Sequence, residues 1–190
     1  MSYQPDRTII LSGIKHSGKS TCGKALARSW KLPFYDLDDL IVDLCREDRG
    51  GERAVTWEAR EIYRRLGKKG FQELELRALE KLALRGELSV IALGGGTQEN
   101  PEARRILSGM GILVYLHEEA QTLFRRIEIR GIPPFLDASA PWESFLLLYQ
   151  RRDALYRESA DLTVPIAGKA VSEAKRHILH ALEEYQHGRQ

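Results

Sequence analysis

Residues 13–20, GIKHSGKS, put two glycines, a lysine and a serine in the spacing GxxxxGK[ST] without a gap. Glycines let a backbone curl until several N–H groups converge on one anion. A helix that starts there adds the positive end of its dipole. Lys19 brings a point charge for β and γ phosphates, and Ser20 a hydroxyl for magnesium. The stretch therefore reads as a polyphosphate cradle, with Gly13, Ser17, Gly18, Lys19, Ser20 and Thr21 as the ATP contacts. The plain alternative is a glycine-rich turn before a helix. Average residue frequencies give a chance match in such a chain about one time in a hundred, which favours the cradle.

Two further stretches carry groups that a phosphate cradle alone lacks. FYDLDDL places Asp36, Asp38 and Asp39 after a short apolar run. If the strand continues through them, Asp36 and Asp38 face the same way, because strand side chains alternate. One carboxylate then serves magnesium and the other accepts a proton from a substrate hydroxyl. A helix cap at Asp38 or Asp39 would explain the same residues without chemistry. IALGGGTQ ends an apolar run in Gly94, Gly95 and Gly96. Bare backbone there lets a ligand approach closely and offers unshielded N–H donors, or it makes a flexible turn.

The elements that must position these groups alternate between strand and helix. Strands are expected at 7–13, 32–38, 87–93, 111–116 and 161–165. Helices are expected at 19–31, from Asp38 toward a charged loop at 46–53, at 56–67 and 70–86 with a break at Gly67–Gly70, at 118–131, at 142–160 and at 171–186. Short apolar strands separated by helices imply right-handed crossovers and a parallel sheet covered on both faces. Ligands bind such folds beyond the carboxyl ends of the strands, where all three motifs fall.

Composition agrees with one soluble unit. The 190 residues are 43% hydrophobic and 29% charged, with a formal net charge of +2, so no strong field points to nucleic acid or an anionic membrane. MSYQPDR lacks the basic and apolar regions of a signal peptide, and no apolar run reaches membrane-spanning length. Cys22 and Cys45 have neither metal-type nor CxxC spacing and suit a reducing, cytoplasmic setting.

Taken together, GIKHSGKSTCGKALA, FYDLDDLI, VIALGGG, GILVYL and RRDALYRESADLTV resemble the shikimate kinase family over nearly the whole chain. The cradle is generic, but the DxD, the GGG and the R-x-x-LYxExAD segment are specific when found in this order. The resemblance implies one P-loop kinase domain over 1–190, a three-layer α/β/α fold around a central five-stranded, mostly parallel sheet. It places substrate-binding helices at about 40–85 and a lid at about 127–141. It implies ATP and Mg2+ as cofactors, a small hydroxy-acid substrate, no nucleic-acid or membrane partner, and a monomer. By the same resemblance Asp36 joins Ser20 in serving magnesium, and Asp38 contacts substrate hydroxyls as the base. The Gly94–Gly96 backbone touches substrate, Arg152 grips its carboxylate, and Arg126 lies against the adenine.

Two positions depart from the family pattern. Gln72, in FQELE, stands where the family carries a second carboxylate-binding arginine, and glutamine cannot form the bidentate guanidinium pair. Pro133, in PPFL, stands where the lid carries an arginine, leaving Arg130 to reach the transferring phosphate. The segment REDRGGERAVTW is also longer than the family needs. Two readings follow: a kinase for shikimate or another small hydroxy acid or polyol, and a nucleotide-binding relative with reduced catalysis and a regulatory role.

Overall fold

The computed structural model describes residues 3–48 and 58–188. Most of the lengthened segment, 49–57, lies outside the described residues, as does the expected helix start at 56. Five strands form one sheet: β1 (Thr8–Ser12), β2 (Phe34–Asp36), β3 (Val90–Ala92), β4 (Gly111–His117) and β5 (Leu162–Pro165). Their order is β2-β3-β1-β4-β5, and all four neighbouring pairs run parallel. The register sets Ile10 beside Ile91 and Leu113, and Asp36 beside Ala92. The loops that follow β1, β2 and β3 therefore emerge together at one edge.

Alternation along the strands builds the layers. Ile9, Leu11, Val90 and Val114 face one side, packed by α1 (Lys19–Trp30) and α7 (Val171–His187). Ile10, Ile91 and Leu113 face the other, packed by α2 (Leu37–Glu47), α3 (Ala59–Arg85) and α4 (Pro101–Met110). A further cluster joins Tyr115 and Ile14 to α5 (Ala120–Arg130) and α6 (Pro141–Ser159). Buried on both faces, β1, β3 and β4 read as apolar runs, while the edge strands β2 and β5 are only partly buried.

Three local expectations need correction. Strand β2 ends at Asp36 rather than continuing to Asp38, and α2 begins at Leu37. The Asp36 carboxylate accepts the Asp38 backbone N–H at 3.1 Å, so Asp36 is the cap and Asp38 stands in the first helical turn. The two carboxylates share the site through a helix start, not through strand alternation. Helix α4 was not expected, although Asn100 and Pro101 mark it. Asn100 accepts from Glu102 N at 3.0 Å, and proline occupies the first turn. The third strand is shorter than 87–93.

The break at Gly67 is present as a kink inside α3, with φ 67° and ψ −175°. Only glycine reaches that region without strain. Gly67→Ala should therefore cost about 1–3 kcal/mol, lowering the melting temperature by roughly 3–10 °C in a thermal melt followed by circular dichroism. An unchanged melting temperature would mean that the kink relaxes at no cost.

Candidate active site

The N-terminal loop follows β1 directly, and α1 begins at Lys19. The Lys19 ammonium is buried and donates to the carbonyls of Gly13 at 2.8 Å and Ile14 at 3.2 Å. Burial lowers its pKa to about 8, and the negative charges of Asp38 and Asp36 oppose that fall. Ser20 donates to the Asp36 carboxylate at 2.5 Å, closing the end of β2 onto the start of α1. His16 adopts a left-handed φ of 67°, uncommon outside glycine. Its Nε2 is buried without a partner among the described residues. Burial, then the charges of Lys15, Arg130, Lys19 and Arg126, hold its pKa down near 4.

A cavity of about 560 Å³ opens beside this loop. Gly18, Lys19, Ser20, Thr21, Asp36, Asp38, Gln72, Gly94, Gly95, Gly96, Arg126, Arg130 and Arg152 all line it. Gly13 and Ser17 stand behind its wall, Gly13 through its carbonyl on Lys19 and Ser17 as a buried hydroxyl. Burial and the neighbouring Asp36 charge raise the pKa of Asp38, against the pull of Lys15 and Lys19. Arg126 donates to the His16 carbonyl at 2.9 Å and to the buried Glu118 at 3.0 Å, fixing its guanidinium on the loop. Pro133, Pro134 and Phe135 also line the cavity, and Arg130 ends α5 beside them.

The triple glycine is crowded by the protein itself. A Cβ on Gly94 would sit 2.9 Å from a Glu75 oxygen and 3.2 Å from an Asp38 oxygen. One on Gly96 would sit 2.8 Å from an Arg152 nitrogen. Glycine is needed there for close approach of the site's own polar groups. Tyr156, from the LYRES stretch, donates its hydroxyl to the Gly95 carbonyl at 2.8 Å and holds the turn.

Arg152 is 7% exposed, lies 5.7 Å from the Phe135 ring centre, and pairs with Glu99 at 3.0 Å. Glu99 also takes Arg151 at 2.5 Å and Lys68 at 3.9 Å. Burial works to raise its pKa, but the two guanidiniums outweigh that and leave it lowered. Sequence reasoning missed Glu99, which carried no motif signal, and Lys15 and His16, hidden as variable positions of the cradle. It also missed Glu75, visible only as one carboxylate in FQELE.

Glu75 is 4% exposed and accepts from Thr97 at 2.5 Å. Burial raises its pKa from 4.5 to about 7, with the Asp38 charge adding to the rise. A carboxyl whose folded pKa is raised favours the neutral form. Its contribution to stability is full below about pH 4.5 and is lost as pH rises through about 7. Glu75→Gln keeps an acceptor for Thr97 and cannot ionise. Urea denaturation across pH 4.5 to 7.5 should show the variant losing less stability than the parent, by up to about 3 kcal/mol. Identical slopes would show that Glu75 ionises freely.

A model of the family described as Shikimate kinase matches residues 15–183. The shikimate kinase of Chlamydia pneumoniae is 38% identical over 159 residues, covering 84% of this chain and 86% of the relative. That of Paracidovorax citrulli is 34% identical over 181 residues, covering 94% and 93%. Among solved structures, shikimate kinase from Acinetobacter baumannii in complex with shikimate superposes with a TM-score of 0.79 at 28% identity, covering 94% of this chain and 93% of that one.

Proposed function

We propose that this chain, which belongs to the shikimate kinase family, moves the γ-phosphate of ATP to a hydroxyl of shikimate. The observation that carries the reading is one cavity joining Lys19, Ser20, Asp36, Asp38, the Gly94–Gly96 backbone and Arg152. A regulatory relative without catalysis would have no physical need to bring that whole set together.

In this reading the acceptor oxygen forms a bond to the γ phosphorus as the bond to the β–γ bridging oxygen breaks. The electron pair of that bond stays on ADP, and the hydroxyl proton passes to the Asp38 carboxylate. Lys19 and the loop N–H groups hold the phosphates, and Arg126 packs the adenine. Among the described residues no group of three or more His, Cys, Asp or Glu could hold a metal on its own. The Ser20 hydroxyl and the Asp36 carboxylate, 2.5 Å apart, are hard oxygen donors that fit magnesium shared with nucleotide phosphates. Magnesium, when bound there, neutralises phosphate charge. Arg152 takes the acceptor carboxylate, and Gln72 on α3 adds neutral hydrogen bonds. Arg130 reaches the transferring phosphate from the lid side, which 127–141 forms.

The reading includes a monomer working in the cytoplasm on a small-molecule acceptor, with no nucleic-acid or membrane partner. No described helix is long and apolar enough to cross a membrane. Cys22 is a buried thiol, as a reducing compartment favours.

A coupled ATP-consumption assay over a panel of hydroxy acids and polyols should single out shikimate. Lys19→Ala should lower kcat/KM at least tenfold, because it removes a direct charge contact to the phosphates. Asp38→Asn should cut kcat while leaving ATP affinity nearly intact. A chain indifferent to shikimate, or an Asp38→Asn variant impaired only in thermal stability, would overturn the assignment.

The neutral Gln72 generates a separate expectation. A charge-assisted hydrogen bond is worth about twice a neutral one, so Gln72→Arg should lower the KM for shikimate by about tenfold. An unchanged KM would mean that position 72 does not meet the acceptor carboxylate.

A further inference from the structure

Lys15 occupies a position in the nucleotide loop that the assignment above leaves without work. Its backbone nitrogen packs against the glycine turn, so that a Cβ on Gly95 would sit 3.1 Å from it. That contact puts Lys15 where the loop after β1 meets the loop after β3, between the nucleotide and acceptor halves of the cavity. The side chain is half-buried and lines the cavity. It makes no hydrogen bond and no ion pair with any other described residue.

The surroundings fix which end of the cavity this charge serves. Lys15 acts on Asp38 ahead of Lys19, and it also acts on Lys19 and His16. The charges acting on Glu75 are those of Asp38, Arg152 and Glu99, and those acting on Glu99 are Arg152 and Arg151. Lys15 thus stands close to Asp38 and Lys19, where hydroxyl and phosphate meet in the kinase reading. Pro133, Pro134 and Phe135 bring no cation to the wall, while Arg130, which also acts on His16, does. Partial burial of an ammonium without a partner is unfavourable, so a charge kept there is explained by an anion that it meets.

We propose that Lys15 is a catalytic residue, its ammonium binding the transferring phosphoryl group beside Lys19. This rests on the kinase reading given above. The O–P bond formed, the O–P bond broken and the proton passed to Asp38 are unchanged; Lys15 neutralises charge on the equatorial phosphoryl oxygens as they move. Such charge is met more strongly in a partly dry site, where this half-buried lysine stands.

The experiment pairs Lys15→Met, which keeps length and removes charge, with Lys15→Arg. Turnover with ATP and shikimate would be measured beside calorimetric binding of ATP and of ADP with aluminium fluoride and shikimate, a mimic of the planar phosphoryl group. Lys15→Met should lower kcat about a hundredfold, the size found when one preorganised donor is lost. Affinity for the mimic should fall nearly as far, and ATP affinity less than tenfold, because the contact strengthens in the transition state. Lys15→Arg should recover at least tenfold of kcat. A Lys15→Met enzyme within about threefold of the parent in kcat overturns the proposal. Equal losses for ATP and the mimic overturn it too, since they mark uniform binding. A parent chain that consumes no ATP with shikimate overturns the kinase reading itself, a result distinct from a parent that is active and a variant that matches it.

Discussion

The burial of the Lys19 ammonium constrains the rest of this end of the molecule. At 8% exposure it has lost most of its water, and two carbonyls replace only part of that hydration. What remains must come from negative charge close by, and Asp36 and Asp38 supply it. Burial, and then repulsion from the neighbouring Asp36, raises the Asp38 pKa and asks for cations in return. Lys19 and the Asp pair are thus mutually required. The sheet exists in a form that brings them together because β1 and β2, although separated by β3, end at the same edge.

The loops around that charge are held by polar ties rather than by apolar packing. Tyr156 holds Gly95, Thr97 holds Glu75, Gln98 donates to Ser159 at 2.8 Å, and Arg126 holds the His16 carbonyl. Each tie joins a loop at the sheet edge to a helix behind it. A loop of bare glycine backbone has little apolar surface to bury, so directional bonds must do the positioning. The same ties explain why α6 carries Tyr156 and Arg152 on one segment: one side chain fixes the glycine turn, and the other stands against it.

The fold was legible because its central strands are buried and so read as apolar runs, and because Gly67 breaks a long helical pattern. The cradle was legible because its spacing is rigid. What escaped was set by contact across the chain. Asp36 and Asp38 appeared together as a strand pair, yet a cap brings them together, since a carboxylate beside its own i+2 N–H can begin a helix as easily as continue a strand. Helix α4 escaped because its start is marked only by the Asn100 cap and Pro101, directly after a polar turn. Glu99 is one acidic residue in a polar turn, and only α6 folding over it reveals Arg151 and Arg152 on its oxygens.

That last cluster bears on how an anionic acceptor can be held with a glutamine at position 72. Glu99 already takes one Arg152 nitrogen, so the arginine is not waiting bare. Yet Lys68, Arg151 and Arg152 are three cations around a single carboxylate, and the balance stays positive. The buried Nε of Arg152 has no partner in the described structure. Lys68 and Gln72 lie one helical turn apart on α3, both on the cavity wall, so the turn after the Gly67 kink presents an ammonium beside an amide. An ammonium on a flexible stem meets a carboxylate as a point charge rather than as a planar fork. In the proposed reading the cluster keeps the charge that attracts a carboxylate while giving up part of the geometry that orients it, and orientation falls more heavily on the glycine backbone and Asp38, which the sheet edge holds in place.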